Sequence, residues 1–279
     1  MKIYPKTSSS FEGLDKLMPY VDKDKGIELQ FFNENGNMSR FEIEDVIERL
    51  MSKIPDLKEI TIHPPLELYE IECIISKDIN IIKEQLHLMV ELTKKYNIKM
   101  NIVYHTLINF DAHKELTLDK IGELLKIIEG ENVLILLENI FMFFEKKCTV
   151  YEIADYFNHP NLRVCFDICH LHCRANINKQ DIEDYAKTYL DSSLCKKYTY
   201  QVHFSYTKNN DGYVDKKTHG RMHPNNEELR KDLKLLGDYG MNKCNYITEV
   251  SEENYGLRKD QINELRMLNE EVLWRKKLV

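Results

Sequence analysis

Imidazole and carboxylate side chains recur in this 279-residue chain directly after short runs of apolar residues. The residues that follow these runs are His63, His105, Glu138, Asp167, His203 and Glu249. Imidazole nitrogens and carboxylate oxygens are ligands of Zn, Mn and Fe, and a ligand set without cysteine leaves coordination positions for water and substrate oxygen. We interpret the six residues as candidate ligands of divalent metal, with Zn as the preferred metal and Mn or Fe as alternatives.

A metal also resolves an electrostatic conflict that this set would otherwise create. Three carboxylates and three imidazoles in one pocket oppose one another, because like charges and removal from water both disfavour ionisation. Three more candidate ligands join them: His170, Asp215 and His219. The last two lie between residues 205 and 226, a long segment without clear periodicity, and long connections of this kind are commonly functional.

The elements that must position these residues are eight apolar runs, each followed by a stretch with helical spacing. The predicted strands are 2–4, 26–32, 59–63, 98–105, 133–138, 162–167, 198–204 and 244–249. The predicted helices are 41–54, 79–96, 118–128, 150–157, 182–190, 227–236 and 261–274, with Ser39, Asp78, Thr117, Thr149 and Asn226 as candidate capping residues.

This alternation predicts an α/β fold, a (β/α)₈ TIM barrel that forms a single domain over residues 1–279. An open doubly wound sheet is the alternative, but the chain has no glycine-rich phosphate-binding turn after its first strand. The carboxyl ends of all strands meet at one face of a barrel, where catalytic residues sit. The six strand-end residues are therefore expected to share one pocket.

Composition limits the class of protein further. The formal net charge is −7, and 43% of the residues are hydrophobic. The seven cysteines form no C-x-x-C pair, which favours reduced thiols over a disulfide framework. No membrane span or secretory signal is evident, so we expect a cytoplasmic location. The acidic balance argues against a general nucleic-acid coat protein but leaves a locally basic groove open. Nothing in the sequence implies a protein partner.

Over nearly its whole length, the chain resembles the endonuclease IV family, the apurinic/apyrimidinic endonucleases of the xylose isomerase-like barrel superfamily. The segments that carry the resemblance are Ile-His63-Pro-Pro, Tyr-His105-Thr, Leu-Glu138-Asn, Cys-Phe-Asp167-Ile-Cys-His170, Val-His203-Phe-Ser, Val-Asp215 and Glu249. Residues 164–170 are the most specific of these, since they are similar to the family's Asp-Thr-Cys-His segment.

The resemblance implies a ligand set for two or three metal ions. One ion would be held by His63, His105 and Glu138, a second by Glu138, Asp167, His203 and Glu249, and a third by His170, Asp215 and His219. The chain departs from the family near the third ion, because His219 lies four positions after Asp215. Residues 220–223 also replace the family's Gly-Glu-Gly turn, which makes His223 an alternative ligand.

Two enzymatic functions follow from these observations. The first is a phosphodiester hydrolase that cleaves DNA at abasic sites, with Glu138, Asp167 and Glu249 as catalytic residues. Its candidate substrate contacts are Lys208, Lys217, Arg221 and His223. The second is a sugar or sugar-phosphate isomerase or epimerase with a single metal and a small sugar substrate. His63 and His105 favour the hydrolase, since a single-metal isomerase does not require both. A third possibility is a barrel that keeps metal only for structure or regulation.

Overall fold

A computed structural model describes residues 1–9, 14–15, 18–21, 26–31, 39–64, 79–105, 110–140, 147–207, 220–250 and 259–276. Its eight strands are β1 (Lys2–Ser8), β2 (Gly26–Gln30), β3 (Glu59–His63), β4 (Lys99–His105), β5 (Val133–Glu138), β6 (Leu162–Asp167), β7 (Thr199–Phe204) and β8 (Asn245–Thr248). Each strand pairs in parallel with the next, and β8 pairs with β1. The predicted (β/α)₈ barrel is confirmed.

Helices surround the barrel. Those in the described residues are α1 (Arg40–Lys53), α2 (Ile79–Tyr96), α3 (Phe110–Ile128), α4 (Thr149–Phe157), α5 (Ile168–Ile177), α6 (Ile182–Tyr189), α7 (Ser192–Tyr198), α8 (Asn226–Asp238) and α9 (Lys259–Lys276). The outward residues of the strands pack against them and form the main apolar core. None of the described helices combines the length and apolar character that a membrane crossing requires.

Several helix boundaries differ from the sequence prediction. Helix α5 was not predicted, because it follows β6 without a loop and is capped by the Asp167 side chain, which accepts a hydrogen bond from the His170 amide. Helix α7 is too short to show helical periodicity. Thr117 was expected to precede a helix but lies inside α3. Helix α8 is capped by Asn225, one position earlier than expected. Ser39 caps α1 as predicted, and the structure adds a capping box with Glu42, whereas Asp78 lies outside the described residues.

The inside of the barrel is polar on one side and apolar on the other. Val103, Leu134, Leu136 and Cys165 form an apolar cluster separate from the main core. Toward the amino-terminal end, the buried Glu59 carboxylate accepts hydrogen bonds from the Tyr4 hydroxyl at 2.7 Å and the Tyr200 hydroxyl at 2.6 Å. Because alternate residues of a strand face the same side, Glu59, Thr61 and His63 line the barrel from its closed end to its mouth.

Candidate metal centre

The strand ends place six candidate ligands around the mouth of the barrel. Strands β3, β4, β5 and β6 end at His63, His105, Glu138 and Asp167, while His203 is the penultimate residue of β7 and Glu249 follows β8. The register pairs His105 of β4 with Glu138 of β5, and Asp167 of β6 with His203 of β7. Adjacent strands therefore present these side chains at the same level, as the sequence prediction requires.

Glu138 lies between two groups of ligand atoms. Its Oε2 is 3.4 Å from His63 Nε2 and 3.3 Å from His105 Nε2. Its Oε1 is 3.3 Å from His203 Nδ1. Ligand atoms of His63, His105 and Glu138 lie within 4.8 Å of one another, and so do those of Glu138, Asp167, His203 and Glu249. The two oxygens of one carboxylate thus face two separate potential metal positions, which we call the imidazole position and the carboxylate position.

The donor set fits divalent metal. All its atoms are imidazole nitrogens or carboxylate oxygens, which suits Zn, Mn or Fe. His203 Nδ1 lies 2.7 Å from Glu249 Oε2, yet this buried nitrogen has no hydrogen-bond partner in the described part of the chain. His63 Nδ1 is 3.0 Å from the Pro64 carbonyl. Donation to that carbonyl fixes the ring and leaves Nε2 with a lone pair toward Glu138, as is usual for metal-binding histidine.

Burial and charge act in opposite directions on these groups. Burial raises the pKa of Glu138, but His203 and His105 outweigh it and hold that pKa well below its ordinary range. Burial likewise raises the pKa of Glu249, and His203 and Lys6 outweigh it and lower that pKa. Burial and the Lys6 ammonium lower the pKa of His63, which favours the neutral ring that binds metal. The centre therefore offers ionised carboxylates.

The other predicted ligands lie at the edge of this centre or outside the described residues. His170 Nδ1 is 2.7 Å from the Asn139 carbonyl, 3.5 Å from Asp167 Oδ2 and 3.6 Å from Glu138 Oε1. Its ring thus borders the carboxylate position. The predicted third-ion ligands Asp215 and His219 and the predicted substrate contacts Lys208 and Lys217 fall outside the described residues.

A family model described as a xylose isomerase-like TIM barrel matches residues 25–274. The chain belongs to this family. Within the family, the fold is shared by proteins with different chemistries, so the family assignment shows the barrel and leaves the reaction open. Among curated protein sequences, no match to this chain was found.

Solved structures with the same fold cover almost the whole chain. A D-tagatose 3-epimerase-like protein is 18% identical, with a TM-score of 0.60, and covers 98% of this chain and 100% of its own. An IOLI protein with a binding zinc atom is 17% identical, with a TM-score of 0.64 and coverages of 97% and 96%. An AP endonuclease of family 2 from Brucella melitensis is 13% identical, with a TM-score of 0.55 and coverages of 89% and 92%.

His223 lies on the outer side of this xylose isomerase-like barrel, where its ring stacks on Phe204 of β7, in a second group of titratable residues. This group, which we call the lateral cluster, consists of His172, His223, Asp232 and Glu264. His223 Nδ1 is 2.5 Å from Glu264 Oε1, and its Nε2 is 3.0 Å from Asp232 Oδ2. Both ring nitrogens are therefore committed to carboxylates. The side chain expected as a substrate contact or third-ion ligand ties the segment before α8 to helices α8 and α9.

Arg221 remains accessible at the start of the same segment. Its backbone forms an antiparallel bridge with Tyr206, with hydrogen bonds of 2.7 and 2.8 Å, and its side chain is exposed. This bridge fixes the end of the long connection beside the end of β7. Arg221 is thus the one predicted substrate contact with an exposed side chain within the described residues.

The sequence prediction missed Lys6, which forms a buried ion pair with Glu28. Lys6 Nζ lies 2.8 Å from Glu28 Oε1 and 2.6 Å from Glu249 Oε1, and both Lys6 and Glu28 are fully buried. The prediction ended the first strand at Tyr4, whereas β1 continues to Ser8. Extending the alternation of this strand to Lys6 would have placed the ammonium inside the barrel.

Proposed function

We propose that this protein is a metal-dependent phosphodiester hydrolase that acts on abasic sites in DNA. It would hold two divalent ions at the barrel mouth, with Zn as the preferred metal. The observation that carries the proposal is the arrangement around Glu138. Its Oε2 faces His63 and His105, and its Oε1 faces His203. A carboxylate with separate ligand groups on its two oxygens fits the bridging ligand of a two-metal site.

Charge balance supports two ions over one. Glu28, Glu138, Asp167 and Glu249 contribute four negative charges, and Lys6 offsets one of them. Two divalent ions would leave the centre with one positive charge, which complements the single negative charge of a phosphodiester. One ion would leave one negative charge, which repels a phosphate group. A centre with both positions filled would therefore favour an anionic substrate.

The protein's own residues would orient the reacting groups. Two divalent ions would activate water and polarise the phosphoryl oxygens. Glu138 would hold the two positions at a fixed separation. Asp167 is itself held in place, because its backbone amide donates to Asn139 Oδ1 at 2.7 Å and its side chain caps α5. Arg221, together with Lys208 and Lys217 of the adjoining segment, would contact the DNA phosphates.

The second candidate, a sugar or sugar-phosphate isomerase or epimerase, rests on the carboxylate position alone. The ligand atoms of Glu138, Asp167, His203 and Glu249 converge within 4.8 Å and would suffice for one ion. In that case two carboxylates would move protons of a bound sugar. This function gives His63 and His105 no role, although both face Glu138.

A nicking assay on a duplex with one abasic site tests the hydrolase. We expect cleavage by protein loaded with Zn or Mn and its loss in Glu138→Gln. Glu59→Gln is the matched control, because Glu59 is also a buried carboxylate inside the barrel but lies at the opposite end from the metal centre. Absence of nicking with Zn, Mn and Fe would contradict the proposal, and exchange of a ketose C–H proton with solvent would support the isomerase.

A further inference from the structure

A buried ion pair lies directly beside the carboxylate position. Lys6 of β1 and Glu28 of β2 are register partners on adjacent strands, and neither has any exposed surface. The Lys6 ammonium contacts Glu28 Oε1 at 2.8 Å and Glu249 Oε1 at 2.6 Å. One ammonium thus joins a carboxylate outside the predicted ligand set to a carboxylate within it.

The other oxygen of Glu28 faces the histidine of the same position. Glu28 Oε2 lies 3.0 Å from His203 Nε2 and accepts a hydrogen bond from the Gln201 amide at 2.7 Å. The Thr61 hydroxyl donates to Gln201 Oε1 at 3.1 Å. This contact fixes the orientation of the Gln201 side chain, with its NH₂ group toward Glu28. The carboxylate is therefore held in place from the Gln201 side as well as by Lys6.

Glu28 also lies close to His63 and His203, within the 4.8 Å that would allow a metal ion between them. The Lys6 ammonium argues against an ion there, because it contacts Glu28 and would repel a second cation at the same carboxylate. Stability of the fold does not explain the buried Lys6–Glu28 ion pair either. The opposite side of the barrel interior is filled with apolar residues, and a buried ion pair is often no more stabilising than apolar residues of similar volume.

We propose that Lys6 and Glu28 are positioning residues for the carboxylate position, an inference that rests on the proposed metal-dependent function. Donation of the His203 Nε2 proton to Glu28 leaves the Nδ1 lone pair directed toward Glu138 and Glu249. Such carboxylate contacts orient metal-binding histidines and raise their basicity. Lys6 holds Glu249 Oε1, so Oε2, which lies 2.7 Å from His203 Nδ1, faces the ion. The pair therefore fixes two ligands from different strands.

Zinc titration calorimetry on the full chain tests this inference through Glu28→Gln and Lys6→Met. In wild-type protein we expect two ions per chain. In Glu28→Gln, the affinity of one ion should fall about 10- to 100-fold, the usual effect of losing such a supporting contact. The fall should be smaller in Lys6→Met, because loss of the contact to Glu249 is partly offset by loss of a positive charge near the ion. The ion at the imidazole position should change less than about threefold, since the His63 ring is oriented by the Pro64 carbonyl and not by the pair. Glu59→Gln, which replaces a buried carboxylate elsewhere in the barrel, should leave both affinities unchanged.

A spectroscopic measurement separates positioning from a general loss of structure. In ¹¹³Cd-loaded protein with ¹⁵N-labelled histidine, wild-type His203 should show coupling between Cd and Nδ1 and a protonated Nε2. Glu28→Gln should weaken that coupling and mix the two ring tautomers, while the signals of His63 and His105 persist. If Glu28→Gln does not fold, the double variant Lys6→Met/Glu28→Gln removes both charges together and should show the same selective loss.

The outcomes distinguish this inference from the proposed function. Two ions in wild-type protein, with affinities in the variants within threefold of wild type and an unchanged His203 signal, would overturn the positioning role and leave the two-metal proposal standing. One ion in wild-type protein would contradict the two-metal proposal. A 10- to 100-fold weaker affinity for that single ion in Glu28→Gln would still support positioning.

Discussion

Two groups of histidine and carboxylate residues in this barrel have nearly the same composition but opposite geometry. At the mouth, ligand atoms from several strands converge within 4.8 Å. In the lateral cluster, each contact joins one imidazole nitrogen to one carboxylate: His172 Nε2 lies 2.8 Å from Asp232 Oδ1, and His223 bridges Asp232 and Glu264. The mouth leaves a common point for an ion, whereas the lateral cluster forms a chain of pairs.

The difference follows from the elements that carry the residues. Parallel strands of a closed barrel direct their ends toward one axis, so their side chains meet. The lateral residues come from α5, the segment before α8, α8 itself and α9, so they meet as neighbours on the outside. There His223 stacks on Phe204, with ring centroids 4.8 Å apart. Residue type alone therefore does not identify a metal centre; convergence of the ligand atoms does.

The two groups also differ in how their charges are balanced. Burial opposes protonation of His223, but hydrogen bonds from its ring to Asp232 and Glu264 outweigh burial and raise its pKa to about 9. Burial raises the pKa of Asp232, but His172 and His223 outweigh it and lower that pKa to about 2. The lateral cluster thus satisfies its charges internally, with a protonated imidazole between carboxylates.

The largest effect that separates the two groups should come from Glu138→Gln. The neutral amide of Gln lacks the negative charge of the Glu138 carboxylate, so both metal positions are weakened. We expect the rate of abasic-site cleavage to fall by at least about 10³-fold, which corresponds to an activation free energy higher by about 4 kcal/mol. Single-turnover kinetics on the abasic duplex measures this rate. The lateral cluster should be unaffected, so the contribution of His223 to the pH dependence of unfolding should persist in the metal-free variant. A loss of activity below tenfold would remove Glu138 from the centre of the mechanism.

A comparable change in stability, without a change in metal binding, should come from His223→Gln. Because the folded pKa of about 9 lies above the ordinary value of 6.5, His223 stabilises the fold fully below pH 6.5, and this contribution disappears as the pH rises toward 9. The shift corresponds to about 3 kcal/mol. Urea unfolding of metal-free protein between pH 6 and 9.5 measures it.

The His223→Gln variant should lack the part of this fall that His223 contributes, while the part that His203 contributes remains. Its zinc affinity should equal that of wild type. Glu138→Gln is the opposite control, since it should keep the His223 contribution to the pH dependence and lose the zinc. An unchanged pH profile in His223→Gln would show that the lateral cluster is not a charged tie between helices.

Metal affinity at the mouth should increase with rising pH, whereas the stability that His223 contributes decreases. Burial lowers the pKa of His203, but Cys165 and the carboxylates of Glu249, Glu28 and Glu138 outweigh it and raise that pKa well above its ordinary value in metal-free protein. An ion must displace this proton. Zinc affinity should therefore fall about tenfold per unit as the pH drops below the His203 pKa. Calorimetry in buffers of different ionisation enthalpy measures the released proton, and absence of proton release at pH 7 would contradict this assignment.

The smallest effect should come from Arg221→Ala. An exposed arginine that contacts one phosphate contributes mainly to substrate binding, so we expect KM for the abasic duplex to rise about threefold with kcat unchanged. The slope of log affinity against log salt should fall by about one. Lys243→Ala, which removes a positive charge near β8 at the other end of the barrel, serves as the control. Equal effects of the two variants would indicate general electrostatics in place of a contact.

Much of the architecture could be predicted because strand ends in a barrel share one face. The register of β4 with β5 and of β6 with β7 then brings His105 to Glu138 and Asp167 to His203, as expected from their positions alone. Lys6 escaped prediction because a charged residue at the apparent end of a strand normally meets solvent. Its burial depends on Glu28 and Glu249, which are distant in sequence.

His223 is a residue whose contacts could not be predicted from the sequence. Its proximity in sequence to Asp215 and His219 suggested a common site, but its partners Asp232 and Glu264 lie on helices whose packing no local pattern specifies. Helix α5 was missed for a related reason, since its cap, Asp167, is also a strand-end residue. Local periodicity finds elements, whereas the pairing of charges across elements depends on tertiary structure.

Anomalous diffraction at the zinc edge from zinc-loaded crystals would show how many ions lie around Glu138 and where. We expect two peaks on opposite sides of the Glu138 carboxylate, one bounded by His63 and His105 and the other by Asp167, His203 and Glu249. A single peak at the carboxylate position, with His63 and His105 free of metal, would contradict the two-metal hydrolase and favour the single-metal isomerase.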